Sequence, residues 1–219
     1  YYDKAGVIRD MIQNHLFQMM AYLCMEPPTS FDPEAIRNEK FKLLSAIRPM
    51  KPDEIAEHAV RGQYGEGVSL NMDGMPAKAY RQEHLVDPES NTETYAALKL
   101  RIDNWRWHGV PVFLRSGKGL RSKSTEIVVQ FRRAPDFTFV GTPAADQLDA
   151  NQLIFRIQPE EAIELRFLAK RPGPSMHMRK VNMHFEYEEA FSVHPGTGYE
   201  TMLHDCMRGD ASLFSRTDL

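Results

Sequence analysis

The order of patterns along this sequence predicts an α+β fold, a large and mainly antiparallel sheet with helices packed on one face. Helix-like periodicity fills the first third of the chain, strand-like alternation fills residues 92–187, and a helix-like stretch returns at residues 199–207. The connections between the strand-like runs are mostly too short for helical crossovers, so neighbouring strands are expected to run antiparallel. No internal repeat, low-complexity tract or linker breaks the pattern, and residues 1–219 read as one domain.

Residues 1–26 form the first predicted element, one amphipathic helix. Ile8, Met11, Ile12, Leu16, Met19 and Leu23 recur at three- and four-residue steps. Asp3 reads as its N-cap, and Pro27 with Pro28 ends it, because proline has no N–H to give and restricts the residue before it. Asp32-Pro33-Glu34 supplies a cap and an N1 proline for a second helix over residues 35–47, half exposed, with a short helix carrying Ile55, Ala56, Ala59 and Val60 after it. Residues 62–93 show no sustained period and read as a long irregular excursion, the kind that more often serves function. Strands are predicted over residues 95–102, 111–114, 126–131, 153–157, 163–169 and 180–187, with a shorter one at 137–140. The final helix stops at Gly209, in C-cap position.

Composition excludes several classes. A net charge of −3 gives no basic excess for a broad nucleic-acid surface. No apolar run is long enough for a membrane helix, and no signal segment is legible. Cys24 and Cys206 make neither a zinc pattern nor a disulfide framework; both read as buried free thiols, which implies a reducing, cytoplasmic setting. The chain opens on Tyr-Tyr directly before a helix with catalytic-looking residues, and reads as a piece of a longer polypeptide.

Most chemical motifs are missing. G-Q-Y-G-E-G, residues 62–67, lacks the preceding strand that would make it a dinucleotide loop. There is no Walker loop, no H-E-x-x-H and no G-x-S-x-G elbow. His177 and His184, seven apart on a predicted strand, point to opposite faces, and no metal site is expected. What remains is the polar run inside the first helix. His15 is the candidate general base, since imidazole, with a solution pKa near ~6.5, accepts a hydroxyl proton at neutral pH without prior burial. Asp10 is suited to accept hydrogen bonds from sugar hydroxyls or to steer an imidazole. On a regular α-helix five residues put the two roughly 140° apart, so convergence needs a bend, a π-turn or a ligand at the helix shoulder. From the residues alone, a capping or interfacial polar cluster explains them better than a site does.

A second cluster, L-R-S-G-K-G-L-R-S-K at residues 114–123, joins two predicted strands and carries Arg115, Lys118, Arg121 and Lys123. Glycine lets backbone approach a ligand and lysine offers a compact charge to a phosphate, yet a solvated basic hairpin fits the same letters. Trp105 and Trp107 read as buried anchors, and the methionines as core packing.

Four longer stretches are specific: YYDKAGVIRDMIQNHLFQ, TYAALKLRIDNWRWHGVPVFLRSGKGL, NQLIFRIQPEEAIELRFLAKRPG and LHDCMRGDASLFSRTD. In this order they resemble the C-terminal, substrate-binding and dimerisation part of the glucose-6-phosphate dehydrogenase family. The resemblance implies an oxidoreductase of the oxidative pentose phosphate pathway that oxidises the C1 hydroxyl of glucose 6-phosphate to the lactone, with NADP (in some members also NAD) as hydride acceptor. By motif it implies that His15, in Q-N-H, is the general base, that Asp10, in R-D-M, holds the sugar, and that Lys118 and Lys123 contact substrate; Gln158, in R-I-Q, lies where some members also touch it. It further implies a homodimer or homotetramer formed through the sheet. The family's N-terminal coenzyme domain, with its G-A-S-G-D-L-A loop, is absent, as is its R-I-D-H-Y-L-G-K-E motif, so NADP is expected to be bound mainly outside this chain and the chain alone to be inactive. The alternative is a non-catalytic dimerisation module or a sugar-phosphate-binding domain.

Overall fold

A computed structural model describes residues 1–69, 75–135, 139–142, 144–145, 148–192, 198–214 and 216–217. The elements run α1 (Tyr2–Val7), a π-helix (Ile8–Leu16), α2 (Phe17–Cys24), α3 (Pro33–Ser45), α4 (Ile55–His58), β1 (Ala59–Gly62), β2 (Gly67–Ser69) and β3 (Met75–Ala77). After a 3₁₀ turn at Tyr80–Gln82 come β4 (Tyr95–Arg101), β5 (Pro111–Gly117), β6 (Thr125–Gln130), β7 (Gln152–Gln158), β8 (Ala162–Lys170), β9 (Met178–Glu186), α5 (Tyr187–Phe191) and α6 (Tyr199–Arg208). Every strand pairing among the described residues is antiparallel, as expected. The strands fall into sheets ordered β1-β4-β5, β2-β3 and β6-β7-β8-β9. The chain, read as one domain from its sequence, forms two compact units, residues 1–121 with 198–219, and residues 122–197.

In the first unit the helices meet β4 and β5 over two connected apolar groups. Val7, Ile12 and Ala96 are buried together, with Ile8, Met11, Leu16, Phe17, Leu98 and Leu114 around them. Met20, Ala21, Cys24, Leu43, Leu100 and Ile102 form the other. The buried positions of α2 are therefore Met20, Ala21 and Cys24, one step on from the predicted Met19 and Leu23. A π-helix turns more slowly than an α-helix, and this shifts the phase of everything after it. Asp32 caps α3 as predicted, its Oδ1 accepting the Glu34 N–H at 3.3 Å. Lys40 on that helix is wholly buried; its Nζ donates to Gln18 Oε1 at 2.9 Å and lies over the Tyr22 ring.

Several expectations fail. Asp3 is not an N-cap: α1 already starts at Tyr2, and the Asp3 carboxylate accepts from the hydroxyls of Tyr80 (3.0 Å) and Ser90. Ala59 and Val60 belong to β1, drawn out of the helix by pairing with Leu98 and Ala97. A strand does precede G-Q-Y-G-E-G, but β2 comes after it where a dinucleotide loop needs a helix. Trp105 is fully exposed; Trp107 alone is an anchor, its indole N–H donating to the Cys24 carbonyl at 2.8 Å. Cys206 is exposed, and only Cys24 is buried. The strand expected at residues 137–140 lies in part outside the described residues, and its remainder, 139–140, is turn.

In the second unit the four-stranded sheet has two unlike faces. Rows across the strands read Ile127, Phe155, Ile163, Phe185 and Val129, Leu153, Leu165, Met183 on one face. On the other, Ile154, Ala162 and Glu164 are buried, and Glu164 binds Arg166 Nε at 2.8 Å and an Arg156 Nη at 3.1 Å.

Candidate functional site

The site candidates begin with Gly6. Its backbone, at φ 71° and ψ 171°, kinks the chain inside α1, two residues before the π-helix, in a region that glycine alone adopts readily. There is also no room for a side chain: a Cβ at this position would stand 2.4 Å from Glu93 Oε1. Glu93 takes over the bonds that the kink frees. Its carbonyl accepts the Val7 N–H at 3.1 Å and its carboxylate accepts the Ile8 N–H at 3.4 Å.

From Ile8 the backbone runs as a π-helix to Leu16, and Phe17 N–H bonds to Ile12 carbonyl, five residues back. This answers the geometric difficulty of Asp10 and His15. In an i→i+5 ladder, positions five apart return close to the same side of the axis, where an α-helix separates them by roughly 140°. Asp10 is half-buried, while Gln13, Asn14 and His15 are exposed. Ile12, between them, is 1% exposed and fixes the opposite side of the helix in the core. The π-helix packs on β5, whose end delivers the basic loop.

Lys118 is the first residue past β5. Its N–H donates to the Thr94 carbonyl at 2.8 Å, and its Nζ lies 4.2 Å from the centre of the Tyr2 ring. Burial pushes the Tyr2 phenol up to about 12, helped by the negative charges of Asp10 and Glu93. Tyr2 thus stands within electrostatic reach of Asp10 and in contact with Lys118, which brings two of the sequence candidates into one neighbourhood. Tyr2 meets Tyr80 edge-on at 6.3 Å, and Tyr80 meets Tyr64 at 5.5 Å. Burial and its bond to Asp3 push the Tyr80 phenol up to about 12 as well. Sequence reading missed Tyr2, Tyr64, Tyr80 and Glu93. The tyrosine spacing has no period, and these residues come together only through tertiary packing.

Lys123 is exposed and belongs to the second unit, two residues before β6. Gln158 ends β7 and lines a hollow of about 90 Å³ with Ser124, Thr125, Glu126, Arg156, Pro159 and Glu160. Among the described residues no group of three or more His, Cys, Asp or Glu could hold a metal ion, and no helix is long and apolar enough to cross a membrane. Nor do they contain a strand–glycine loop–helix unit to hold a dinucleotide.

The class these features define is an α+β domain of antiparallel sheets in which a π-helix carrying Asp10 and His15 packs on the strand that leads into a basic loop. Residues 1–219 match the family described as "Glucose-6-phosphate dehydrogenase, C-terminal domain". The glucose-6-phosphate 1-dehydrogenases of Bacillus subtilis (strain 168) and Rhizobium meliloti (strain 1021) are 44% and 43% identical to it, over all of this chain and 44% and 43% of their own length. A solved structure, "Glucose-6-phosphate dehydrogenase in complex with its substrate glucose-6-phosphate", superposes with a TM-score of 0.83 at 38% identity, covering 100% of this chain and 42% of that one. A glucose-6-phosphate 1-dehydrogenase from Mycobacterium avium gives 0.79 at 33%, covering 99% and 42%. The chain belongs to the glucose-6-phosphate dehydrogenase C-terminal domain family, and it spans less than half the length of the relatives it matches.

Proposed function

We propose that this chain is the substrate-holding part of a cytoplasmic glucose-6-phosphate dehydrogenase of the oxidative pentose phosphate pathway. The observation that carries the reading is the π-helix, which supports Asp10 and His15 serving one sugar. His15 takes the proton of the C1 hydroxyl. As hydride leaves C1, positive charge grows on that carbon, and loss of the hydroxyl proton turns it into a carbonyl; a positioned base lowers this barrier. Asp10 accepts hydrogen bonds from the sugar and Lys118 offers its ammonium to it. NADP would supply the hydride acceptor; the described residues contain no strand–glycine loop–helix unit that fits it, which supports its being held mainly outside this chain. Titration calorimetry with glucose 6-phosphate tests the reading. The chain is expected to bind it, more weakly as Lys118→Ala, and to reduce no NADP on its own. Absence of heat from either protein favours a purely structural role.

The second reading, a homodimer through the four-stranded sheet, is supported by the apolar face, where Met183 is 62% and Phe185 39% exposed. A second copy of the same face is the occupant that fits, because the surface is apolar across all four strands. In sedimentation equilibrium Met183→Lys is expected to shift the protein towards monomer; an unchanged mass rules this face out.

A further inference from the structure

We propose that Tyr2 is a positioning residue for Lys118, its ring face holding the ammonium without neutralising it. This rests on the reading of Lys118 as a substrate contact. The Lys118 backbone is pinned by its N–H bond to Thr94. Its side chain, on an exposed residue, makes no ion pair among the described residues, although Asp10 and Glu93 both act on the neighbouring Tyr2. What it touches is the Tyr2 ring, with Nζ 4.2 Å from the centroid.

The choice of partner matters. A carboxylate would cancel the charge and occupy N–H donors that a sugar phosphate needs. A ring face attracts the cation while leaving the donors directed away from it. A lysine held in this way has also lost part of its rotamer freedom before the ligand arrives, which favours binding.

The ring itself is held. Tyr2 packs edge-on against Tyr80 at 76°, Tyr80 against Tyr64 at 71°, and the Tyr80 hydroxyl is tied to Asp3. The residue after Lys118 rides on the same group: Gly119, at φ 68°, lies where a Cβ would meet the Tyr64 ring at 3.3 Å. The Tyr2 hydroxyl is buried and makes no hydrogen bond among the described residues, so the ring and not the hydroxyl is the working part.

The test uses the dehydrogenase that carries this chain, with KM and kcat for glucose 6-phosphate measured at saturating NADP. Tyr2→Leu is expected to raise KM about two- to fivefold with kcat within about twofold, the scale of an exposed cation–π contact. Tyr2→Phe should restore the wild-type KM. Pentafluorophenylalanine in place of Tyr2 keeps the shape but reverses the charge of the ring face, and should behave as Tyr2→Leu does. In a Lys118→Ala background Tyr2→Leu should add nothing. If the fluorinated ring matches Tyr2→Phe while Lys118→Ala raises KM, the ring does not position the lysine and the proposal falls, with the substrate contact intact. If Tyr2→Leu still raises KM without Lys118, the residue acts elsewhere and the proposal is again overturned. A KM unmoved by Lys118→Ala sinks the underlying reading and this proposal with it.

Discussion

Gly6→Ala is the most informative single change in the fold, because one methyl group meets two independent obstacles. The first is the backbone: holding alanine at the Gly6 dihedrals costs about 1–3 kcal/mol. The second is Glu93, whose Oε1 would lie 2.4 Å from the new Cβ. Moving that carboxylate breaks its bond to the Ile8 N–H, worth about 1.5–3 kcal/mol for a charged acceptor and less here because the bond is long. Together the two predict a loss of about 2–5 kcal/mol. Urea unfolding monitored by circular dichroism measures it. Gly6→Ala with Glu93→Ala separates the contributions, since it removes the clash and keeps the strain; part of the loss should remain. A Gly6→Ala loss below about 1 kcal/mol would refute the argument that this kink requires glycine.

Three further outcomes rest on the same geometry. The two hydrogen bonds from Arg166, and then the one from Arg156, hold the buried Glu164 carboxyl below its ordinary value of 4.5. The stability it contributes is complete above that value and is lost as pH falls through the lowered one, so Glu164→Gln should cost about 1–3 kcal/mol at pH 7 and less in acid, read from urea midpoints against pH. Burial, reinforced by the nearby Arg37, pushes the Lys40 ammonium below its usual value of 10.5. Between the lowered value and 10.5 the unfolded chain binds the extra proton, so stability rises with pH there; the excess melting temperature of Lys40→Met over wild type should therefore shrink from pH 7 to 10. Burial pushes the Cys24 thiol up to about 11, while Cys206 is exposed. A thiol reagent at pH 8 should modify Cys206 fast and Cys24 only on unfolding, and equal rates would contradict the packing of α2.

The α+β class and the antiparallel strands were legible because period-two alternation and short connections are local properties. The strands of the β6–β9 sheet were found to within two residues at each end on that signal alone. The opening helix was legible as apolar but not in its phase. Nothing in Ile8 to Leu16 marks a π-helix, and the kink at Gly6 and the Glu93 carboxylate that meet its first turn are brought together only by tertiary packing. Nothing in the sequence marked Lys40 as buried, since its Gln18 and Tyr22 partners sit on a different helix. Trp105 and Trp107 carry the same letter, and only the bond to the Cys24 carbonyl tells the anchor from the exposed ring. His15 and Asp10 stood out as polar residues beside an apolar stripe, yet their spacing argued against a shared ligand until the helix type was known.

In the proposed function the π-helix makes His15 a base for a sugar that Asp10 also holds. His15→Ala in the full-length protein proposed to be the dehydrogenase, with turnover and glucose 6-phosphate affinity measured on the same sample, tests it. The expected result is kcat reduced about 10²- to 10⁴-fold with affinity nearly unchanged. Affinity lost with turnover preserved would contradict it.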